Sequence, residues 1–350
     1  MGCGVLPESI ELLAFAAASL VFALAFAPAL APRRALAVQG GAGLAGTAAV
    51  AAAPAFDLAV LGLMLLAVLQ AAVGGKRTFA ACLKAPGVAV ALLALAALLA
   101  RAEGPDLLQR FAAVGLAAGL AAAVGLLPYL HTFDPEEPVA ASPIAWLAYI
   151  GPVVAAVIVA DAHGLLTADA GAAFGAVLIG FGLVNMAWGS VGAWLTEDTG
   201  TAWRYSFVAD WGLALSGFGI TLADGRRAAL LVLFTVVLGR LPLYLVSGRS
   251  GKAPVTDRPI NLLVAAVLAG SAPFAGFAAR VLLLRGATQL FWPLALVLAL
   301  GMLLWLPGSL RLGRSLGIPR RRQAVGVALV LAANVAVGLY PLPLLAAAGL

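Results

Sequence analysis

Apolar runs about 20 residues long recur along almost the whole sequence, and they restrict the chain to a membrane fold. A run of this length crosses a bilayer core of about 30 Å as an α-helix. Hydrophobic residues make up 63% of the chain and charged residues only 10%, whereas a soluble domain carries about 25% charged residues. Lipid tolerates only helices and closed barrels, and the runs lack the alternating pattern of barrel strands. We therefore predict an all-α, polytopic transmembrane helical bundle.

The apolar runs predict about twelve spans. They cover residues 9–31, 35–54, 55–74, 79–100, 108–130, 139–160, 170–194, 203–223, 226–247, 259–284, 287–310 and 322–347. The second run is the weakest, because it consists largely of glycine and alanine with little bulk.

The distribution of basic residues predicts the orientation of these spans, because Lys and Arg concentrate in cytoplasmic loops. The odd-numbered loops hold fourteen basic residues and the even-numbered loops hold five, while Arg240 and Arg280 fall inside spans. We therefore expect both termini to lie outside. The basic residues are spread over loops without an aromatic-interleaved patch, so no nucleic-acid partner is expected.

The sequence carries no recognisable catalytic or metal-binding pattern. Cys3 and Cys82 are too few and too distant for a metal site or a disulfide framework. The two histidines, His131 and His163, cannot build a metal centre without carboxylate help. We predict no cofactor and no metal. Whether the chain belongs to an enzyme stays open, and any redox chemistry would lie in another subunit.

Asp210 stands out because it lies well inside an apolar segment, within LTEDTGTAWRYSFVADWG. A carboxylate in hydrocarbon costs several kcal/mol unless it is paired or lines a polar path. Arg240 lies at a matching depth on the next span, since each residue is about seven residues, or roughly 10 Å, from the inner end of its helix. A buried Asp–Arg pair would carry both charges. Such a pair is either a gating or coupling element on a polar axis or a static structural contact.

Two prolines predict breaks in spanning helices. Pro128 is followed by His131 in GLLPYLHTFDPEEPV, and Pro273 is followed by Arg280 in GSAPFAGFAAR. Proline frees backbone carbonyls, which are tolerated at membrane depth only inside protein or along a cavity. Either proline alone could be a packing kink. Two such breaks at corresponding places favour a transport scaffold built from inverted repeats.

Several segments resemble the antiporter-like membrane subunits shared by respiratory complex I, Mrp-type sodium/proton antiporters and membrane-bound hydrogenases. GLLPYLHTFDPEEPVAASPIAWL resembles the family stretch PLHTWLPDA…APTPVSALLHA, and LTEDTGTAWRYSFVADWG resembles LVQTDLKRLLAYSSVSHLG without a gap. VVLGRLPLYLVSG is similar to HALFKALLFLLAG, GSAPFAGFAARVLLL to GLPPLAGFxxKFLLL, and VGLYPLPLL to LGLYPQPLL. These matches follow the family order from about residue 60 to the C-terminus.

The resemblance implies a domain organisation and a set of partners. Residues 1–54 would form N-terminal helices, 55–194 a degenerate first repeat, and 195–350 a second repeat with C-terminal helices. The family usually has about fourteen spans, so this chain would be a shortened form. The implied partners are the lipid bilayer, other membrane subunits of a complex I-like, hydrogenase or Mrp-type assembly, and a proton or sodium ion. The implied location is a prokaryotic inner membrane.

The departures from the family bear on proton transport. Met64, Val124 and Trp146 stand where the resemblance implies a glutamate, a lysine and a histidine. Arg240 and Arg280 replace two lysines, and arginine stays protonated, so it cannot release a proton in a relay. These differences argue against ordinary proton pumping through this chain.

Two further residues are candidates for an ion path. Lys84 matches a family lysine, but it could instead snorkel to the inner membrane face. His131 keeps the family position after the first break, where loop hydrogen bonding would explain it equally well.

Three functions follow as hypotheses. The chain takes part in or supports cation or proton translocation within a larger complex, or it is a scaffold subunit with an inactive channel. An independent small-solute carrier ranks last, because no solute site is visible in the sequence.

Overall fold

The computed structural model of the chain describes residues 56–74, 79–102, 106–126, 165–247, 258–317 and 321–347. All regular structure in these ranges is helical, so the all-α prediction is confirmed for the described part of the chain. Pro128, His131 and Trp146 lie outside the described residues.

The first described helices are α1 (Phe56–Gly74), α2 (Phe79–Arg101) and α3 (Asp106–Val124), which pack on one another in chain order. Arg101 Nη1 donates to Asp57 Oδ2 at 2.5 Å and joins the start of α1 to the end of α2. Helix α3 ends earlier than the predicted span, because Gly125 takes a left-handed φ of 72° directly after Val124.

The tightest helix pair consists of α4 (Ala168–Leu195) and α5 (Thr199–Gly219). Glycines on both helices let the backbones touch. A Cβ on Gly182 would lie 2.6 Å from the carbonyl oxygen of Gly212, and a Cβ on Gly175 would lie 2.6 Å from that of Gly219. Small residues at helix interfaces are typical of membrane bundles, where close backbone packing replaces the hydrophobic driving force.

Asp198 begins α5 as its N-cap. The carboxylate accepts a hydrogen bond from the backbone N–H of Thr201 at 2.6 Å, which satisfies one of the free donors at a helix start. Partial burial raises the pKa of Asp198, but hydrogen bonds from Thr201 and Gly200 and the charge of Arg204 outweigh it, so the pKa lies below its ordinary value. The cap therefore stays ionised at neutral pH.

The next spanning segment is continuous but changes its winding. It runs from α6 (Ala223–Phe234) through a π-helical segment (Thr235–Arg240) into α7 (Leu241–Ser247). π-Helical turns are rare overall, and those that occur are often found at functional sites. This one ends at Arg240.

The following span is broken. Helix α8 (Pro259–Ala269) ends at Gly270, whose φ is 62°, and α9 begins at Ala275 and runs to Leu290. Residues 270–274 form the break, and they contain Pro273 after a cis peptide bond. The left-handed conformation at Gly270 stops α8, because residues with a Cβ rarely adopt it.

The remaining described helices are α10 (Trp292–Leu304), α11 (Leu306–Arg314), α12 (Arg321–Leu339) and α13 (Leu342–Ala347). Helix α12 packs on the π-helical segment and on α9. A Cβ on Gly338 would collide with the backbone of Pro273 and Phe274, so α12 lies directly against the break.

In the described ranges, three helical stretches are long and apolar enough to cross a membrane by length and composition: Asp106–Val124, Ala168–Leu195 and Trp292–Arg314. Large apolar side chains also point outward from the described bundle, among them Leu98, Leu300 and Leu339. These features identify an integral membrane protein. The described helices have the predicted class of fold, and most of their ends differ from the predicted span ends by a few residues. The predicted spans 9–31, 35–54 and 139–160 lie outside the described residues.

Side chains from one helix cap the ends of others at two places. Arg311 donates to the backbone oxygens of Trp194 at 3.1 Å and Glu197 at 2.8 Å, at the C-terminal end of α4. Asn261 donates to the backbone oxygens of Gly313 at 3.2 Å and Gly317 at 3.3 Å, at the end of α11. These contacts satisfy carbonyls that a helix end leaves free.

Candidate functional site

Asp210 and Arg240 meet inside the bundle. Arg240 Nε donates to Asp210 Oδ2, and the two residues are only 4% and 5% exposed, respectively. This is the contact expected from the matching depth of the two residues on consecutive spans. Asp210 lies in the middle of α5, whose neighbouring residues are all buried. Arg240 is the last residue of the π-helical segment.

The break between α8 and α9 supplies the next contact of Arg240. The backbone oxygen of Leu268 has lost its helical partner because α8 ends one residue later, and Arg240 Nη2 donates to it at 3.4 Å. Trp305 Nε1 donates to the same oxygen at 2.7 Å, and the Arg240 guanidinium lies 5.0 Å from the Trp305 ring centroid. A cation at this distance is attracted to the ring face.

Arg280 approaches the same place from α9. Its guanidinium lies on the backbone of the break, since a Cβ on Gly270 would be 2.5 Å from Arg280 Cζ. Asp210 attracts this charge and Arg240 repels it. Arg280 is half-buried, and within the described part of the chain it makes no ion pair and no hydrogen bond.

A cavity of about 20 Å³ lies among these three charged residues. Such a volume is sufficient for about one water molecule. Thr235 of the π-helical segment and the break residue Gly270 also contribute to its wall. The charged pair, the break and the π-helical segment therefore converge on one internal polar site. We call it the Asp210 cavity.

Helix α12 places a buried amide against the π-helical segment that carries Arg240. The side chain of Asn334 lies against Gly239, where an added Cβ would be 3.3 Å from both amide atoms. Asn334 Nδ2 donates to the backbone oxygen of Val330 at 2.9 Å, whereas Oδ1 is buried without a partner. Sequence reasoning missed this residue, although a lone asparagine in the apolar run 322–347 was a usable signal.

Of the remaining predicted site residues, Met64, Val124 and Pro273 do not line the Asp210 cavity, and Pro128, His131 and Trp146 lie outside the described residues. Met64 lies on α1 and is 49% exposed, so it faces away from the described bundle. Val124 is the last residue of α3 and is half-buried. Lys84 belongs to α2, and its side chain lies outside the described residues. Pro273 is in the break itself, on the far side of Gly270 from α8.

A second buried carboxylate joins two helices at their ends. Asp224, in the first turn of α6, accepts from Arg285 Nε of α9 at 3.0 Å and lies 3.7 Å from Arg227 Nη1. Both arginines are substantially exposed, unlike Arg240. These ion pairs hold α6 against α9. The cluster was not predicted from the sequence.

The Asp210 cavity can hold charge but cannot pass protons through its basic residues. Arginine remains protonated at any physiological pH, so Arg240 and Arg280 act as fixed charges. Among the described residues no group of three histidine, cysteine or acidic side chains could hold a metal ion. The site is therefore an electrostatic element within the bundle.

The fold is similar to chains in three solved membrane assemblies. One is the membrane-bound sulfane sulfur reductase, an archaeal respiratory membrane complex, with a TM-score of 0.77, 18% identity, and coverage of 95% of this chain and 64% of that chain. A second is the Mrp complex from Dietzia sp. DQ12-45-1b, with a TM-score of 0.81, 17% identity, and coverage of 98% and 44%. A third is respiratory complex I from Thermus thermophilus with bound NADH, with a TM-score of 0.64, 18% identity, and coverage of 95% and 81%.

At 17–18% identity, these similarities establish a shared fold and nothing further. The chain shares its all-α fold with chains of these three membrane assemblies, two of which, the Mrp complex and respiratory complex I, belong to the systems named in the resemblance. It spans about two thirds of the first matched chain and less than half of the second. No protein-family model and no curated protein matches the sequence.

Proposed function

We propose that this chain is a membrane subunit of a larger complex and takes part in, or supports, cation or proton translocation there. The observation that carries the proposal is its antiporter-like fold, shared over 95–98% of its length with chains of three membrane assemblies. The site favours a particular role, in which the Asp210 cavity is a fixed-charge coupling element. Its arginines would bias ions or neighbouring charges electrostatically without carrying protons themselves.

A scaffold subunit with an inactive channel is the second candidate. Met64 and Val124 occupy the positions where the family resemblance implies titratable groups, and neither is ionisable. Asp210 and Arg240 satisfy each other inside the bundle, as a purely structural pair would. An independent solute carrier is the least favoured candidate, because the Asp210 cavity has room for only about one water molecule.

Purification from native membranes tests the proposal. A tagged chain extracted in mild detergent is expected to bring other integral membrane subunits with it in fixed stoichiometry, detectable by native mass spectrometry. Proteoliposomes of that assembly should then lose proton or sodium flux when the chain is removed genetically. Intact flux without the chain would support the scaffold over the transport role. A chain that purifies alone from native membranes would contradict both.

We further propose that α4 and α11 meet at the cytoplasmic membrane face, and that both chain termini lie outside. The basic-residue bias supports this orientation. The contacts group the helix ends as this orientation requires, without deciding which face is cytoplasmic. Arg311 contacts the end of α4 at one face, while Arg101–Asp57 and Arg285–Asp224 join segments assigned to the other face.

Cysteine labelling measures this orientation. After Cys3 and Cys82 are replaced by serine, a Gln289→Cys variant should react with a membrane-impermeant maleimide in intact cells. The Glu197→Cys variant should react only after lysis, because its loop would face the cytoplasm. Both positions are exposed in the fold, so accessibility to the reagent depends on the membrane side. Labelling of Glu197→Cys in intact cells would reverse the assignment.

A further inference from the structure

Among the described residues, the wall of the Asp210 cavity carries one more positive charge than negative charge. It contains two cationic side chains, Arg240 and Arg280, and one carboxylate, Asp210. Asp210 is already engaged by Arg240 Nε. One cationic charge, that of the half-buried Arg280, is therefore left without a counter-charge among the described residues, and uncompensated charge inside a membrane protein is expensive.

The helix ends at the break do not remove this excess. The C-terminal end of α8 brings about half a negative charge near Leu268, and the N-terminal end of α9 brings about half a positive charge near Ala275. Since the two ends face the same break, their contributions largely cancel. Counting the residues that the structure describes, the cavity remains cationic by about one charge.

Free donors accompany the excess charge. Arg240 is only 4% exposed, and its buried Nη1 has no hydrogen-bond partner among the residues that the structure describes. Arg280 has no hydrogen bond to any part of the chain that the structure describes. Buried donors left unpaired cost free energy, more so when they belong to a charged group. Two guanidinium groups thus offer unused N–H donors to the same small space.

We propose that the Asp210 cavity binds a small monovalent inorganic anion, of which chloride is the simplest example. The volume of about 20 Å³ accommodates a particle of roughly the size of one water molecule. A bare halide meets that limit, whereas phosphate with its four oxygens does not. The anion neutralises the excess charge and accepts from Arg240 Nη1 and Arg280, while Arg240 Nε remains engaged with Asp210.

Chloride-dependent thermal stability of the purified chain tests the site. Melting is measured in detergent with chloride varied against gluconate at constant ionic strength. A ligand that binds only the folded state stabilises it in a saturable manner. The melting temperature of the native chain should therefore rise with chloride and then level off. The Arg280→Gln variant should lose this dependence, and Arg280→Lys should retain it because the charge is kept.

Arg110→Gln is the matched control, because Arg110 is an exposed arginine on α3 and does not line the cavity. It should keep the chloride dependence of the native chain. Identical melting in chloride and gluconate would overturn the proposal. So would an unchanged chloride dependence in Arg280→Gln, since the anion would then bind elsewhere.

Bromide gives a direct structural readout that does not require any variant to fold. Anomalous difference density in bromide-grown crystals of the native chain should appear between Arg240 and Arg280. Density at other sites alone would overturn the proposal, as would a carboxylate of a partner subunit occupying the cavity in an assembled complex. The inference goes beyond the proposed function, and the isolated chain suffices for its test. Failure to find partner subunits therefore leaves it standing.

Discussion

Replacing Asp210 by leucine should destabilise the protein by about 3–5 kcal/mol, the usual cost of leaving one member of a buried ion pair unpaired. The loss leaves Arg240 and Arg280 facing the same cavity without a carboxylate. Arg240→Leu should cost less, because Arg280 lines the same cavity and remains available to compensate Asp210. This asymmetry between the two single variants follows from the position of Arg280 and would not be expected of an isolated pair.

The double variant Asp210→Leu with Arg240→Leu should recover much of the loss. It removes one charge of each sign, so the net charge of the cavity is the same as in the native protein. Chemical unfolding in detergent for both single variants and the double variant gives the coupling free energy as a double-mutant cycle. Asp169→Leu serves as a control, since Asp169 is an exposed acid at the start of α4 and should change stability by no more than about 0.5 kcal/mol.

Ion flux in proteoliposomes of the assembled complex distinguishes a coupling role of Asp210 and Arg240 from a purely structural one. Recovered stability with abolished flux in the double variant would support a coupling role for Asp210 and Arg240. Recovered stability with unchanged flux would support the scaffold. Strictly additive destabilisation would show that the two residues do not interact, contrary to the contact between Arg240 Nε and Asp210 Oδ2.

Adding a single methyl group between α4 and α5 should also have a large effect. A Cβ on Gly182 would collide with Ser216 Oγ and lie 2.6 Å from the Gly212 backbone oxygen. Overpacking of a well-packed core costs about 1–3 kcal/mol. We expect Gly182→Ala to reach at least the upper part of that range, because one of the opposing atoms belongs to the backbone and cannot rotate away.

Gly180→Ala is the matched control on the same helix. Apart from the backbone of its own helix and its chain neighbours, no described atom lies within 4 Å of a Cβ at Gly180, so the substitution meets open space. Alanine has a higher helix propensity than glycine by about 1 kcal/mol, and this variant should be neutral or more stable than the native chain. Thermal unfolding of the two variants side by side measures the difference. Equal stability of Gly180→Ala and Gly182→Ala would contradict the close packing of α4 against α5.

The Gly182→Ala substitution should also change the geometry of the Asp210 cavity. Asp210 lies two residues from Gly212 on α5, and any separation of α5 from α4 would displace that helix. Gly182→Ala should therefore also weaken the chloride dependence of melting, whereas Gly180→Ala should leave it unchanged.

The class of fold could be predicted from the sequence because hydropathy acts locally. Each apolar run must satisfy its own backbone within lipid, so run length alone predicts a helix. The partnership of Asp210 with Arg240 could also be anticipated, because consecutive spans are antiparallel and depth follows from counting residues. Pro273 signalled the break in the same local way.

The surroundings of that pair could not be predicted, because they depend on how distant helices pack. In the sequence, the glycines of α4 and α5 are indistinguishable from other small residues. Only the packed structure shows that Gly182 and Gly212 lie opposite each other. Nothing in the local sequence assigns the Leu268 oxygen to Arg240 and Trp305, which lie 28 and 37 residues away along the chain.

Arg280 shows most clearly which properties follow from the local sequence and which depend on tertiary structure. By itself the sequence determined that this chain is helical, spans a membrane and carries an arginine beyond a broken helix, since each property depends on neighbouring residues. Only the tertiary structure decided that Arg280 lies on Gly270, beside a carboxylate already engaged by Arg240. The physical reason is that charge balance belongs to a cavity, and a cavity exists only when α5, α8, α9 and the π-helical segment are packed together.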